Sequence, residues 1–245
     1  MCDLQPHGPD TYVGIGPRYP WGGLYGGQIV AQALRAAAAT VEAEFDVHSL
    51  RAYFIRRGDH AEPVRYEVDR IRNGRSFVTR RVVARQAVGA ILNLEASFQR
   101  DEQSPVVQTV TAPRRTWRGR PEDGAAHGPE WMQVTSEVNS HREGDVDGDL
   151  PDDPAAQLLQ RCCLAYLSDD VASDSAHRVH PRRDDPSFAA ERFGASLDHT
   201  IWFHRPLRAD RWHLHDVTCH AFAGNRGLTL GQAFAADGTH VATFA

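Results

Sequence analysis

The spacing of apolar and polar positions along this chain changes period twice, and each change marks an element. From Gly26 the run GGQIVAQALRAAAAT places Ile29, Val30, Ala33, Leu34 and Ala37 at helical spacing, with further alanines filling the other face. It predicts a slim helix over 26–40, opened by two glycines and apolar nearly all round, hence buried. The period then falls to two. Val64, Tyr66 and Val68 alternate with Arg65, Glu67 and Asp69 over 64–70, and the pair Asn73, Gly74 is a hairpin signal. SFVTRRVVARQ (76–86) and AILNLEASFQ (90–99) follow across a short turn containing Gly89, so an antiparallel meander is expected.

Residues 101–154 break the rhythm. Pro, Gly and acid clusters such as PEDGAAHGPE and EGDVDGDLPDD surround one candidate strand, EWMQVTSEV (130–138). A second helix is expected from Pro154, capped by Asp152 or Asp153, with Leu158, Leu159, Cys162 and Tyr166 on its apolar face. Strands return in WHLHDVTCHAFA, LTLGQAFA and THVATFA, joined by GNRG and ADG. The order of helix followed by hairpin strands therefore occurs twice. Local text repeats with it: HSLRAYFIRRGD (48–59) echoes DHTIWFHRPLRAD (198–210), and NGRSF (73–77) echoes GNRGL (224–228). An offset of about 150 residues points to internal duplication of one α+β unit, each copy burying a long helix against a curled antiparallel sheet. The expected division is an N-terminal unit over 1–100, a connection over 101–128 and a C-terminal unit over 129–245.

Composition narrows the function classes. With 245 residues, 41% of them apolar, the chain can bury a real core, and no apolar run approaches the length of a membrane span. The opening MCDLQPHGPDTYVG lacks a basic region followed by an apolar one, which leads us to expect a cytoplasmic protein. A net charge of -5, with 27 basic residues dispersed among 32 acidic ones, argues against nucleic-acid binding. All the basic residues are Arg, whose planar fork suits a phosphate-bearing ligand. Cys2, Cys162, Cys163 and Cys219 form neither a disulfide framework nor paired ligand motifs, so free thiols in a reducing compartment are expected. HRVH (177–180) and HLH (213–215) offer imidazole pairs without third and fourth ligands, so neither a metal nor another cofactor is expected.

The chemistry centres on SLDHTIWFHRP (196–206), where Ser196, Asp198 and His199 fall within four positions. His48 and His199 recur in both halves, which suits structural imidazoles, and Asp198 with WFHRP suits the start of a strand. Cys162 and Cys163 on an apolar helix read as inert core. The glycines of GGLYGG do not follow a strand in a βαβ unit, so close helix packing explains them better than a phosphate cradle.

Taken together, GGLYGGQIVAQAL (22–34), VHSLRAYFIRRGD (47–59), NGRSF with TRRVVARQ, EASFQ (95–99), LPDD (150–153), AYLSD (165–169) and DHTIWFHRP (198–206) resemble the acyl-CoA thioesterase II family, built of two fused hotdog domains. The resemblance implies hydrolysis of fatty acyl-CoA to free acid and coenzyme A, and further pairing of such chains into homo-oligomers through their sheets. It also implies a water held by a helix carboxylate, a hydroxyl and a Gln. Carried over, the carboxylate is Asp169 and the hydroxyl is Ser196, where the family commonly has Thr; the Gln position falls immediately after Ala245. A thioester has little of an amide's resonance, so a positioned water and a base suffice. Asp169, beside Asp170 and expected near the end of its helix, is placed to be a basic carboxylate. Amides at Gly27 or Gln28, at a helix N-terminus, are the candidate substrate-binding donors to the developing oxyanion. Two other readings compete. One is a non-catalytic acyl-CoA or lipid-binding double hotdog; the other is a hotdog hydratase, whose Asp, Asn-Pro and His loop signature is not found here.

Overall fold

The computed structural model describes residues 2–19, 22–113, 130–132, 154–191, 194–209, 211 and 213–245. Its first long helix, α1 (Gly26–Ala38), is buried along almost its whole length, as an all-round apolar pattern requires. Four strands follow it: β3 (Phe45–Phe54), β4 (Val64–Asn73), β5 (Phe77–Gln86) and β6 (Gly89–Arg100). Two short strands precede it, β1 (Leu4–Pro6) and β2 (Thr11–Gly14), which periodicity over so few residues does not reveal. β4, β5 and β6 form the expected meander, each antiparallel to the next. The first hairpin is wider than the Asn73, Gly74 signal suggests. A register shift between Asp69 and Arg72 lengthens β4 through Asn73, and Gly74 N–H closes the turn on the Phe77 carbonyl at 3.0 Å.

The second half repeats the plan: β7 (Glu130–Met132), helix α2 (Pro154–Arg178), a short helix α3 (Pro186–Glu191), then β8 (Asp198–Phe203), β9 (His213–Ala223), β10 (Arg226–Ala235) and β11 (His240–Phe244). Of the strand expected over 130–138, residues 133–138 lie outside the described residues, as do the proposed caps Asp152 and Asp153.

Among the described residues, eleven strands join one sheet, in the order β1-β2-β4-β5-β6-β3-β8-β11-β10-β9-β7. Outward from the β3 and β8 pair, the order 3, 6, 5, 4, 2 on one side corresponds to 8, 11, 10, 9, 7 on the other. The two stretches whose text repeats therefore meet antiparallel at the centre, with Leu50 opposite Ile201 and Ala52 opposite His199. These four side chains are buried on the helix side, while Tyr53 and Trp202 point outward and stay exposed. An exposed pair, Arg51 to Asp198 at 3.2 Å, bridges the same junction and contributes under about 1 kcal/mol. Arg161 of α2 reaches Asp46 of β3 at 2.7 Å, a second tie between the halves.

Both helices lie against the sheet and against each other. The far end of α1 is held by the buried Arg80 of β5, which bonds Thr40 Oγ1 (2.8 Å), the Thr40 carbonyl (3.1 Å), the Arg72 carbonyl (2.9 Å) and Asn73 Oδ1 (2.7 Å). A cation there also matches the negative end of the helix dipole. Among the described residues no helix is long and apolar enough to cross a membrane, and no three metal-binding side chains cluster.

On the inner face of β9, His213 and His215 are buried with ring centroids 4.8 Å apart. Neither nitrogen of His215 has a partner among the described residues. Burial, and then the neighbouring His213, push the His215 imidazole well below its ordinary 6.5, and burial lowers His199 too. These rings are therefore neutral in the fold and take up protons only on unfolding, so the stability they permit is present above about pH 6.5 and lost as pH falls below it. Chemical denaturation between pH 7 and 5 should show His215→Leu losing stability less steeply than the parent, by up to about 1.4 kcal/mol per pH unit. Parallel slopes would mean that His215 is not the acid-sensitive group.

Candidate active site

The chain enters α1 through Tyr25, which is extended (φ -79°, ψ 133°) and makes no side-chain cap. Its phenol instead crosses to the second half and donates to the Tyr166 carbonyl of α2 at 2.5 Å, with the two rings edge to face at 4.7 Å. The next two residues are glycines because no side chain fits. A Cβ at Gly27 would lie 2.2 Å from the Tyr166 carbonyl oxygen, and one at Gly26 would lie 2.6 Å from Asp169 Oδ2. The packing explanation for GGLYGG thus accounts for Gly26 and Gly27, and its result is to bring a carboxylate to the amino end of a helix.

Asp169 is only 4% exposed. The sequence reading put it near the end of its helix, and the structure corrects this. α2 runs on to Arg178, so the backbone charge closest to the Asp169 carboxylate comes from the positive end of α1, not the negative end of α2. The preceding residue, Ser168, hydrogen-bonds His199 Nε2 at 2.8 Å, and His199 Nδ1 meets the Ala245 carbonyl at 2.9 Å. A carbonyl only accepts, so Nδ1 carries a proton; burial lowers the imidazole and so favours the neutral ring, whose Nε2 accepts from the Ser168 hydroxyl. His199 is the satisfied imidazole expected of it, and it ties α2 to β8 and β11.

Ser196 lies just before β8, partly exposed. Its hydroxyl is 3.5 Å from that of Ser173, which in turn donates to the Asp169 carbonyl at 3.1 Å. The structure therefore brings Ser196 to the neighbourhood of Asp169 through Ser173, which is itself bonded to the Asp169 backbone and not to its carboxylate.

Gln28 is fully buried; its Oε1 accepts the Tyr19 hydroxyl at 2.7 Å, while its Nε2 has no partner among the described residues. Tyr19 spends its one proton on Gln28, so the 3.3 Å contact between Tyr19 and Tyr166 runs from the Tyr166 hydroxyl. Burial, then the Asp169 charge, raise the Tyr25 phenol; burial, then Tyr166, raise Tyr19. Both remain neutral donors. Tyr25 stood inside GGLYGG without a role being assigned, Tyr166 was placed only on the apolar face of its helix, and nothing in spacing indicates that they meet.

A family model described as acyl-CoA thioesterase N-terminal domain matches residues 16–99, and one described as acyl-CoA thioesterase matches residues 139–245. Acyl-coenzyme A thioesterase 8 of Rattus norvegicus is 34% identical over 100% of this chain and 86% of its own length. The chain belongs to the acyl-CoA thioesterase family. A solved member, acyl-CoA thioesterase II TesB2 from Mycobacterium marinum, superposes with a TM-score of 0.76 at 33% identity, covering 99% of this chain and 92% of that one. A hot dog fold protein from Alicyclobacillus acidocaldarius shares the fold alone, at 17% identity and a TM-score of 0.67 over 99% of this chain and 93% of its own. The α+β architecture above is thus a double hotdog, and the thioesterase is a hydrolase. The family match does not favour the non-catalytic reading.

The glycine pair separates stability from site geometry in this thioesterase. Gly27→Ala forces a Cβ against backbone and should lower the thermal midpoint, costing about 1–3 kcal/mol or more. Gly26→Ala meets the movable end of Asp169 and the edge of Phe54, so it should cost less stability while displacing the carboxylate. Calorimetry of the two variants checks the ranking; a Gly27→Ala midpoint equal to the parent would mean that the helices do not touch there.

Proposed function

We propose that this protein hydrolyses acyl-CoA thioesters to free acid and coenzyme A, with Asp169 as the general base that activates a water and Ser196 helping to hold that water. The observation that carries the reading is the buried Asp169 carboxylate pressed against the amino end of α1 at Gly26. In the first step the carboxylate takes a proton from water as the water oxygen attacks the thioester carbonyl carbon. In the second the tetrahedral intermediate collapses, the C–S bond breaks, and the coenzyme A sulfur leaves with the proton returned by Asp169. No covalent enzyme intermediate is needed.

The oxyanion of that intermediate needs donors. The first amides of a helix have no acceptor within it, and here the first such bond is Ile29 N–H to the Tyr25 carbonyl at 3.3 Å. The amides of Gly27 and Gln28 are our candidates, since they open α1 beside Asp169 and the dipole adds to their donor strength.

Thiol release from a fatty acyl-CoA tests the assignment. Asp169→Asn should lower kcat by about 10²- to 10⁴-fold with its thermal midpoint retained. Ser196→Ala should cost about tenfold, the worth of one hydrogen bond. Turnover by Asp169→Asn equal to the parent removes Asp169 from the role.

A further inference from the structure

Helices that pack through interdigitating side chains are held against sliding by those ridges, but a contact made by glycine has no ridge. At Gly26 and Gly27 the register of α1 against α2 has to be fixed by something else, and phenols do it. Tyr25 donates to the Tyr166 carbonyl at 2.5 Å, with the two rings edge to face at 4.7 Å. The Tyr166 hydroxyl donates to Tyr19 at 3.3 Å, and Tyr19 donates to the Gln28 side chain, in the opening turn of α1, at 2.7 Å. Tyr166 is thus tied to the start of α1 twice, once through its backbone and once through its side chain. Burial raises both phenols, so they keep their protons and both ties persist at neutral pH.

Tyr166 and Asp169 are three residues apart on α2 and share a face, so whatever fixes the first fixes the second. The contacts show it: Gly27 meets the Tyr166 carbonyl and Gly26 meets the Asp169 carboxylate. The position of Tyr25 matters as well. It is the N-cap of α1, where Ser, Thr, Asp or Asn would direct a side-chain oxygen to the amide of the second or third helical residue, here Gly27 or Gln28. Tyr25 makes no such cap; its phenol turns to α2 instead. One residue therefore braces the two helices and leaves the opening amides of α1 without a capping oxygen.

We propose that Tyr25 and Tyr19 are positioning residues for the hydrolysis: through Tyr166 they hold the Asp169 carboxylate at one register against the amino end of α1, and neither touches the substrate. The inference rests on Asp169 being the base. Register matters because a displacement of about 1 Å at a reacting group can cost about 100-fold in rate.

The full chain is assayed for thiol release from a fatty acyl-CoA well below its thermal midpoint, with the fold of each variant checked by circular dichroism. Tyr25→Phe keeps the ring and removes the bond to Tyr166, so kcat should fall about tenfold with KM unchanged. Tyr19→Phe should lower kcat in the same way by a smaller factor, since the contact between Tyr166 and Tyr19 is the longer one. Added to Asp169→Asn, Tyr25→Phe should bring no further fall, because the group it positions is gone. A parental kcat in Tyr25→Phe, whatever its thermal midpoint, would overturn the proposal and leave the phenols a structural role alone. An equal factor lost with and without Asp169 would overturn it too. If Tyr25→Phe fails to fold, Tyr19→Phe decides on the same terms. A parental rate in Asp169→Asn alone is a separate failure, which removes the base assignment and this proposal with it.

Discussion

The structure depends on how closely the backbones of α1 and α2 approach at Gly26 and Gly27. The Tyr166 carbonyl stands 2.2 Å from where a Cβ at Gly27 would be, whereas an ordinary contact begins at 3.4 Å. Any side chain there moves a helix. Close approach lets Tyr25 bond across to Tyr166, and it places the Asp169 carboxylate against the positive end of α1 while shielding it from bulk water. A buried carboxylate is costly unless something favours its charge, and the positive end of a helix does so. Glycine is therefore needed for the space it leaves, at two positions where its freedom of φ is not used.

The second requirement is that α2 keeps its place over the sheet. Here the duplicated strands meet, so residues from both halves converge. His199 belongs to the strand that pairs with β3, yet its two nitrogens hold Ser168 of α2 and the Ala245 carbonyl at the end of β11. Arg161, one turn before Ala165 and Tyr166, adds an ion pair to β3. The candidate base is thus positioned by its helix neighbours, while the amino end of α1 beside it comes from the other half.

Much of this was legible in the sequence. The all-round apolar helix, the period-two strands and the 150-residue echo gave both halves, and the repeated text turned out to be the central strand pair. The length of α2 was not legible, for a physical reason. DDVASDS is rich in Asp and Ser, which favour caps and turns because their side chains compete for backbone bonds. In the fold, Ser173 and Ser175 spend that capacity on carbonyls four residues back, at Asp169 and Val171, and Arg178 pairs with Asp174 at i,i+4. Local competition was thereby turned into local support, and Asp169 became a mid-helix residue. The short edge strands β1 and β2, and the meeting of Tyr19, Tyr25 and Tyr166, depend on tertiary contacts that no period encodes.

The two halves share one frame, and packing makes them unequal. His48 and His199 occupy matching places, but a register shift between Val47 and Ser49 turns His48 out of the ladder, where it stays half-buried and bonds Ser97 at 2.9 Å. His199 sits in regular register, buried under α2. The helices diverge more sharply: α1 carries no acidic residue, and α2 carries Asp169, Asp170 and Asp174. One helix thus offers its amino end and the other a carboxylate in its middle, and neither half alone holds both. On the proposed roles, a single copy of the unit would present either donors without a base or a base without donors. That division of labour gives a physical reason for the two halves to remain covalently joined.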